Sequence, residues 1–419
     1  MQYHAMSLAD NNFIVYLICF VENQPSLALL ENKSIILVKL NKPNKLQPNF
    51  PKLFYILHAL FRITTQILEL IYALIFRIDI PDVLLVQNPP AIPTLFIAQI
   101  YCRLVDVKLY IDWHNFGYSI MQLSLGTSNS IVKICKFYEF TFGKIADGHF
   151  CVSNAMKTFL IHDMKVSGKI VVLYDKPPCH FKKLTVAEVH KFLEKQEFGV
   201  EHNDNINDEN AKKIPETANL RKLSSTISTM KEHLYSSPRF KKSDRRLILV
   251  SSTSWTEDED FSILFNSLRD YELNFKKNNE ANLDLPKLTV VITGKGPLKE
   301  YYVNLIQKER FEYVKFFFPW LTAEAYPLLL GSADIGVCLH TSSSGLDLPM
   351  KAVDMFGCEL PVLAINYATI SELVKDNVNG LIFNDSLELY QQFLVRTHFT
   401  LSYIFFRTYF KVFLKNQLE

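Results

Sequence analysis

The sequence predicts an α/β protein of two doubly wound, parallel-sheet halves facing a cleft. Three observations carry this expectation. Short apolar, β-branched segments alternate with longer amphipathic ones, the pattern of βαβ units. The alternation occurs twice, on either side of a polar stretch at 197–246. With 419 residues, the chain is also too long for one ordinary core.

In the first half, 13–21 and 34–40 read as strands. The apolar region 54–78 is interrupted by Arg62, Gln66, Glu69 and Arg77, and a spanning helix needs roughly 20 predominantly apolar residues. It therefore reads as one or two amphipathic helices, either lying on a bilayer surface or packed on the domain's own sheet. Residues 82–86 form a strand that Gln87-Asn88-Pro89-Pro90 must end, because proline cannot continue a central strand. Strand 108–111 runs into Asp112-Trp113-His114-Asn115. Strand 148–152 precedes Ser153 and Asn154, good caps for a following helix, and 169–173 ends at Tyr174-Asp175-Lys176. These elements define a first domain at 1–196. The segment 197–246 is charged and poor in aromatics, an insertion or linker. The second domain, 247–388, has strands at 247–250, 288–293, 335–339 and 361–365. The remainder, 389–419, has no carboxylate before Glu419 but has Arg396, Arg407, Lys411 and Lys415 among many aromatics. It reads as a basic membrane-surface helix or a divergent C-terminus.

Composition narrows the function. A formal net charge of +2 gives no sign of bulk nucleic-acid binding. A hydrophobic fraction of 48%, with 32 Phe and 19 Tyr, points to contact with a membrane or lipid. Seven scattered cysteines without CxxC spacing fit reduced, buried thiols rather than a zinc site. No cleavable signal peptide is visible. No metal-ligand cluster emerges, so neither an obligate metal nor a tightly bound cofactor is expected.

The segment 331–357, GSADIGVCLHTSSSGLDLPMKAVDMFG, is the richest in chemistry. A strand enters a turn of small residues containing Ser343, Ser344 and Gly345, and a helix with Lys351 and Asp354 follows. Ligands of open α/β sheets bind beyond the carboxyl ends of the strands, and small residues there let a phosphate reach helix N–H groups. A carboxylate such as Asp354 can accept two hydrogen bonds from a ribose diol. A Ser-rich helix cap would look the same. Gly294-Lys295-Gly296 also follows a strand, with Lys295 able to face a phosphate, although a lone GxG equally marks a tight turn. Ser252 ends the first strand of this half, and Thr256 with Glu259 three residues on reads as a capping box. Glu257, Asp258 and Asp260 suit the positive end of that helix dipole. Glu324 reads as a helix cap or a neighbour of a nucleoside base. In the first half, Asp112 or His114 can act as general base toward an acceptor hydroxyl. Trp113 and Tyr118 can stack on a sugar, and Asn88 can shape the rim of the cleft. No strand is followed by GxGxxG with an acid about 20 residues on, which argues against an NAD-dependent oxidoreductase.

Several stretches together resemble one family. They are MQYHAMSLA, VQNPPAIPTL, IDWHNFGYSIM, VLYDKP, LVSSTSWTEDEDFSIL, VITGKGPLKEYY, PWLTAEAYPLLLGSADIGVCLHTSSSGLDLPMKAVDMFGCELPV and NGLIF. The chain is similar to the chitobiosyldiphosphodolichol β-mannosyltransferases, whose fold is the two-Rossmann-domain GT-B type. The resemblance implies transfer of mannose from GDP-mannose, with inversion, to dolichol-diphosphate-linked GlcNAc₂, forming a β-1,4 bond. It implies action at the endoplasmic reticulum membrane, on the cytosolic face, beside other dolichol-pathway mannosyltransferases. The second half would hold GDP-mannose, with Asp354 where related transferases place a ribose-binding carboxylate. The first half would hold the lipid-linked acceptor, with Asp112 or His114 as base. Helix N-termini and Lys295 or Lys351 would stabilise the departing diphosphate. Family members carry a membrane anchor, a first strand and a Gly/Arg-containing loop before the motif whose Met is Met1 here. The first domain is therefore expected to lack its central first strand, leaving ladder groups unpaired. The alternative reading is a truncated, non-catalytic relative that binds GDP-sugar or associates with other mannosyltransferases.

Overall fold

A computed structural model of the chain describes residues 1–21, 25–41, 52–195, 246–256, 259–278 and 285–398. The polar segment, Glu257, Asp258 and the tail beyond 398 lie outside the described residues. The chain divides into two compact units, Met1–Tyr174 and Asp175–Glu419.

In the first unit, α1 (Gln2–Asp10), β1 (Val15–Cys19), α2 (Leu27–Glu31) and β2 (Ile35–Lys39) make a small α/β layer. Its strands pair in parallel, Val15 opposite Ile35, around a core of Ala5, Ala9, Leu17, Leu29 and Ile35. A second sheet is built from β3 (Val83–Asn88), β4 (Lys108–Trp113), β5 (Gly148–Cys151) and β6 (Lys169–Val172), all parallel and in sequential order. Its helices are α3 (Lys52–Phe76), α4 (Thr94–Val105), α5 (Gly117–Leu125), α6 (Ser130–Phe142) and α7 (Asn154–Phe159), the last continued by a π-helical turn, Leu160–Met164. The segment 54–78 is thus one helix rather than two. It buries Ala73 and Leu74 against its own unit while other apolar residues stay exposed, so neither sequence alternative is complete.

The two sheets of this unit are separate. Among the described residues β1 pairs with β2 alone and β3 with β4 alone, leaving one edge of β1 and one of β3 without a strand. Among the described residues a division thus runs between the two sheets. A side-chain hydrogen bond from Tyr16 Oη to Asp79 Oδ2 (2.6 Å) and one from Arg77 Nη1 to the Lys39 carbonyl (2.6 Å) tie the layers across it.

The second unit opens with α8 (Val186–Lys195), then β7 (Leu247–Ser252), α9 (Phe261–Asn278), β8 (Leu288–Thr293), α10 (Lys299–Lys308), β9 (Val314–Phe317), α11 (Ala325–Ser332) and β10 (Ile335–Cys338). It closes with α12 (Met350–Gly357), β11 (Val362–Ile365), α13 (Ile370–Leu373), β12 (Gly380–Phe383) and α14 (Ser386–His398). Its strands form one parallel six-stranded sheet of order β12-β11-β10-β7-β8-β9. The strands are near-continuous apolar runs because helices cover both faces, so two cores form, one around Leu249, Val290 and Val337, the other around Val250, Cys338 and Met355.

Two expected boundaries move. Residues 175–196 belong to the second unit, where Leu184 N–H donates to the Gly331 carbonyl (3.0 Å) and Phe192 packs in the core. The second domain also continues past 388, because α14 runs to His398 and buries Leu389 and Phe393, one turn apart, against α9.

Candidate active site

In the first unit, β4 delivers Asp112 and Trp113 to the carboxyl edge of its sheet, and His114 N–H donates to the Asn88 carbonyl across the β3 end (3.0 Å). Asp112 is buried, and its Oδ2 accepts from two imidazoles, His114 Nε2 at 2.8 Å and His4 Nε2 at 3.1 Å. Burial works against ionisation of Asp112. The hydrogen bonds and charge of His114 and His4 outweigh it and hold the carboxyl well below the usual carboxylate range. A neutral imidazole that donates a hydrogen bond from Nε2–H to a carboxylate carries its lone pair on Nδ1, the arrangement of an oriented general base. The ligating atoms of His4, Asp112 and His114 lie within 4.8 Å of one another, close enough to hold a metal ion. No such cluster was expected, because His4 stands far from the other two in sequence. As arranged, the three groups already satisfy one another by hydrogen bonds that a cation would have to displace.

The expected acceptor residues fare differently. Trp113 is fully buried, with Nε1 donating to His149 Nδ1 (3.1 Å) and its ring 5.4 Å from that of Phe116. It cannot stack on a sugar; it is core, and truncation of such a side chain to Ala costs about 3–5 kcal/mol. Asn88 is also buried. Its Nδ2 donates to the Asn115 carbonyl (3.1 Å) and to Glu139 Oε1 (3.0 Å), so it braces the loop after β4 rather than lining a rim. Tyr118 is half-buried, its ring 6.1 Å from that of Phe140 and 5.3 Å beneath Lys136 Nζ. Burial first, then the nearby Glu139 charge, push its phenol up to about 12.

Glu139 was not foreseen. It is buried on α6 and accepts from Gly117 N–H (2.8 Å) and Tyr118 N–H (2.9 Å), the first amides of α5. Burial raises its pKa, partly offset by hydrogen bonds from Asn88, Tyr118 and Gly117. A signal existed: it shares the inward face of α6 with Val132 and Cys135, at helical spacing.

In the second unit, the parallel strands bring Ser252, Gly294-Lys295-Gly296, the 341–345 turn and α12 to one edge. Ser252 Oγ lies 3.0 Å from Tyr326 Oη. The glycines are needed for close approach: a Cβ on Gly294 would stand 1.7 Å from the Thr253 carbonyl oxygen, and one on Gly296 1.8 Å from that of Ser254. Gly294 also has φ +141°. Lys295 Nζ sits 3.9 Å above the ring of the exposed Trp320, a cation–π contact. In the turn, Gly345 has φ +72°, and Ser344 Oγ donates to Asp347 Oδ1 (3.1 Å). Ser343 is half-buried in the same turn. Glu324 stands at the N-cap of α11, without a side-chain cap bond.

Lys351 pairs with Glu259, which is buried and also meets His340 Nδ1 (3.2 Å), Thr253 Oγ1 (2.6 Å) and Ser254 N–H (2.7 Å). Burial opposes the Glu259 charge; His340, Lys351 and Thr253 overcome it and hold the carboxyl well below its usual range. Glu259 is therefore the hub of three loops rather than part of the expected capping box. The start of α9 is served instead by Asp260 Oδ1, accepting from Ser262 N–H (2.9 Å). Asp354 is half-buried, and burial first, then the charge of Asp175, push it up to about 7.

The comparisons fit this geometry. Residues 264–389 match the glycosyl transferases group 1 family. The chain is 42% identical to the human chitobiosyldiphosphodolichol beta-mannosyltransferase, over 94% of this chain and 80% of the relative. The chain belongs to the chitobiosyldiphosphodolichol beta-mannosyltransferase family. It is accordingly a glycosyltransferase that transfers a hexose. The Dictyostelium discoideum member of the family is 39% identical over 93% of this chain and 80% of its own length. The Arabidopsis thaliana UDP-glycosyltransferase TURAN is 40% identical over 94% and 85%. Among solved structures, Anabaena Alr3699/HepE in complex with UDP matches with TM-score 0.57 at 15% identity, covering 95% of this chain and 86% of that one. Sucrose-phosphate synthase from Thermosynechococcus elongatus matches with TM-score 0.56 at 10% identity, over 94% and 83%. These structures establish the GT-B fold class.

Proposed function

We propose that the chain transfers mannose from GDP-mannose, with inversion, to dolichol-diphosphate-linked GlcNAc₂, forming a β-1,4 bond. The observation that carries this reading is the buried Asp112 carboxylate holding two imidazoles at the end of β4. An inverting transfer needs a base to take the proton of the acceptor hydroxyl as that oxygen attacks the anomeric carbon and the nucleoside diphosphate departs on the opposite face. His114, oriented by Asp112, is that base, and His4 shares the carboxylate. On the donor side, Asp354 receives the ribose diol. The 341–345 turn and the start of α12 receive the diphosphate, whose growing charge is met by helix N–H groups and Lys351. The donor is a substrate, and no tightly bound cofactor is needed. The reading places the enzyme at the endoplasmic reticulum membrane, facing the cytosol, alongside other mannosyltransferases of the same pathway.

A second reading, binding of GDP-sugar without turnover, is favoured by the divided sheet of the first unit. One experiment separates the two: purified chain is incubated with a lipid-diphosphate-GlcNAc₂ acceptor and either GDP-mannose or a UDP-hexose, and the product is weighed and its anomeric linkage assigned. One added β-linked mannose from GDP-mannose alone supports the proposal. Addition from the UDP-hexose instead overturns the donor, and GDP-mannose binding without product establishes the second reading.

A further inference from the structure

Two buried carboxylates, Glu259 and Asp112, gather imidazoles, and their surroundings differ. Glu259 pairs with Lys351 as well as His340 through one oxygen, while its other oxygen accepts from Thr253 and Ser254. Among the described residues no lysine or arginine pairs with Asp112. Its side-chain partners are His4 and His114, and both approach the same oxygen, Oδ2, through Nε2, at 3.1 and 2.8 Å. Two imidazole nitrogens and one carboxylate oxygen thus converge on a single point.

That donor set has a chemistry of its own. Imidazole with carboxylate suits zinc and its first-row neighbours, whereas magnesium and calcium prefer oxygen alone. A zinc ion with three protein ligands and one open position is near tetrahedral, and ligands at about 2.0 Å set ligand–ligand edges of roughly 3.3 Å. The two edges at Oδ2 are within about 0.5 Å of that length as they stand. The remaining edge, between the two imidazoles, is at most 4.8 Å. The side chains of His4 and His114 are 29% and 28% exposed, whereas that of Asp112 is buried. An ion therefore arrives from solvent at the imidazoles and meets a carboxylate charge that water screens poorly.

We propose that His4, Asp112 and His114 form a binding site for a divalent ion of the zinc class, and that the ion blocks turnover. Coordination replaces the two hydrogen bonds to Oδ2. Each neutral ring gives its Nε2 lone pair to the ion and carries its proton on Nδ1. His114 then has no Nδ1 lone pair with which to take a proton. The site stands whatever the reaction; its effect on turnover rests on the role of His114 proposed above.

The test starts with the full chain and no substrate. Binding of Zn²⁺ is followed by calorimetry, and binding of Co²⁺ by its visible absorption, which is far stronger in a tetrahedral site than in the hydrated ion. His4→Gln, His114→Gln and Asp112→Asn are each expected to weaken binding by about tenfold or more, since even the loss of an outer partner of a ligand costs about 10–100-fold. His162→Gln, exposed in the same unit, is expected to bind as wild type. If Asp112→Asn fails to fold, His4→Gln decides, because it leaves β4 unaltered. Unchanged affinity in both histidine variants overturns the site, and so does Co²⁺ that keeps the absorption of the hydrated ion. With acceptor and GDP-mannose present, saturating Zn²⁺ is expected to lower wild-type turnover by about 10²-fold or more, the contribution of a general base, and a chelator to restore it. Full turnover with the site occupied overturns the block. If wild type shows no turnover without zinc, the proposed reaction fails while the binding data still decide the site.

Discussion

In the second unit the central strand β7 is hydrogen-bonded on both sides, to β8 and to β10, and the hub around Glu259 is built on one continuous sheet. In the first unit no described strand occupies the matching place between β1 and β3. Its cluster therefore straddles a division. His4 comes from α1, packed on the β1–β2 layer, whereas Asp112 and His114 come from β4 in the other sheet. A similar arrangement, a buried carboxylate gathering imidazole or lysine partners, rests on a ladder in one unit and on side-chain bonds in the other. Position in the first unit is thus more easily lost.

The largest expected effect lies where that difference meets catalysis. Asp112→Asn removes the acceptor of both imidazole bonds and is expected to cut kcat by about 10²–10⁴, with the donor KM unchanged. His4→Ala, which removes only the bond across the division, should cost less. If His4→Ala is as damaging as Asp112→Asn, the two sheets depend on that bond for their arrangement. Next, Glu259→Ala leaves Lys351 and His340 without their partner and is expected to destabilise the second unit by about 3–5 kcal/mol, read as a lower denaturation midpoint.

A pH experiment sharpens the donor side. Asp354 is pushed up to about 7 from a reference of 3.8. The folded unit holds this proton more tightly than the unfolded chain, so the group's contribution to stability falls as pH rises from about 4 through about 7. A ribose diol needs the ionised carboxylate, so the donor KM should rise as pH falls below about 7. Asp354→Asn is expected to flatten both dependences, and a KM that still varies with pH in that variant would remove Asp354 from donor binding. The smallest effect is dynamic. Amides of β1 and β3 are expected to exchange with solvent faster than those of β7, because among the described residues each of the former strands has one edge without a partner strand. Equal protection would mean that the division carries no local instability.

Much of this was legible in the sequence, and the limits have physical causes. Strand ends were visible because Pro89, Asn115, Gly294 and Ser343 break apolar runs, and that placed Asp112 and His114 at a sheet edge and Asp354 on the helix that follows one. Burial of Trp113 was not legible, since a parallel strand covered on both faces shows no alternation from which to read exposure. His4 was invisible as a partner because the bond joins distant segments. Glu139, by contrast, had a signal in the spacing of Val132 and Cys135. So did α14, where Leu389 and Phe393 repeat at one turn although the surrounding composition looked like a basic tail.

The tight fit of Gly294 and Gly296 against the carbonyls of Thr253 and Ser254 has a further consequence. The loops after β7 and β8 share one steric envelope, so neither can be remodelled alone: even a single added methyl in one must displace the backbone of the other. Gly345 in the 341–347 turn is constrained differently: no atom lies within 4 Å of where its side chain would begin, but its φ of +72° strains any side chain placed there. Two loops are thus held by shared space and the third by its own backbone.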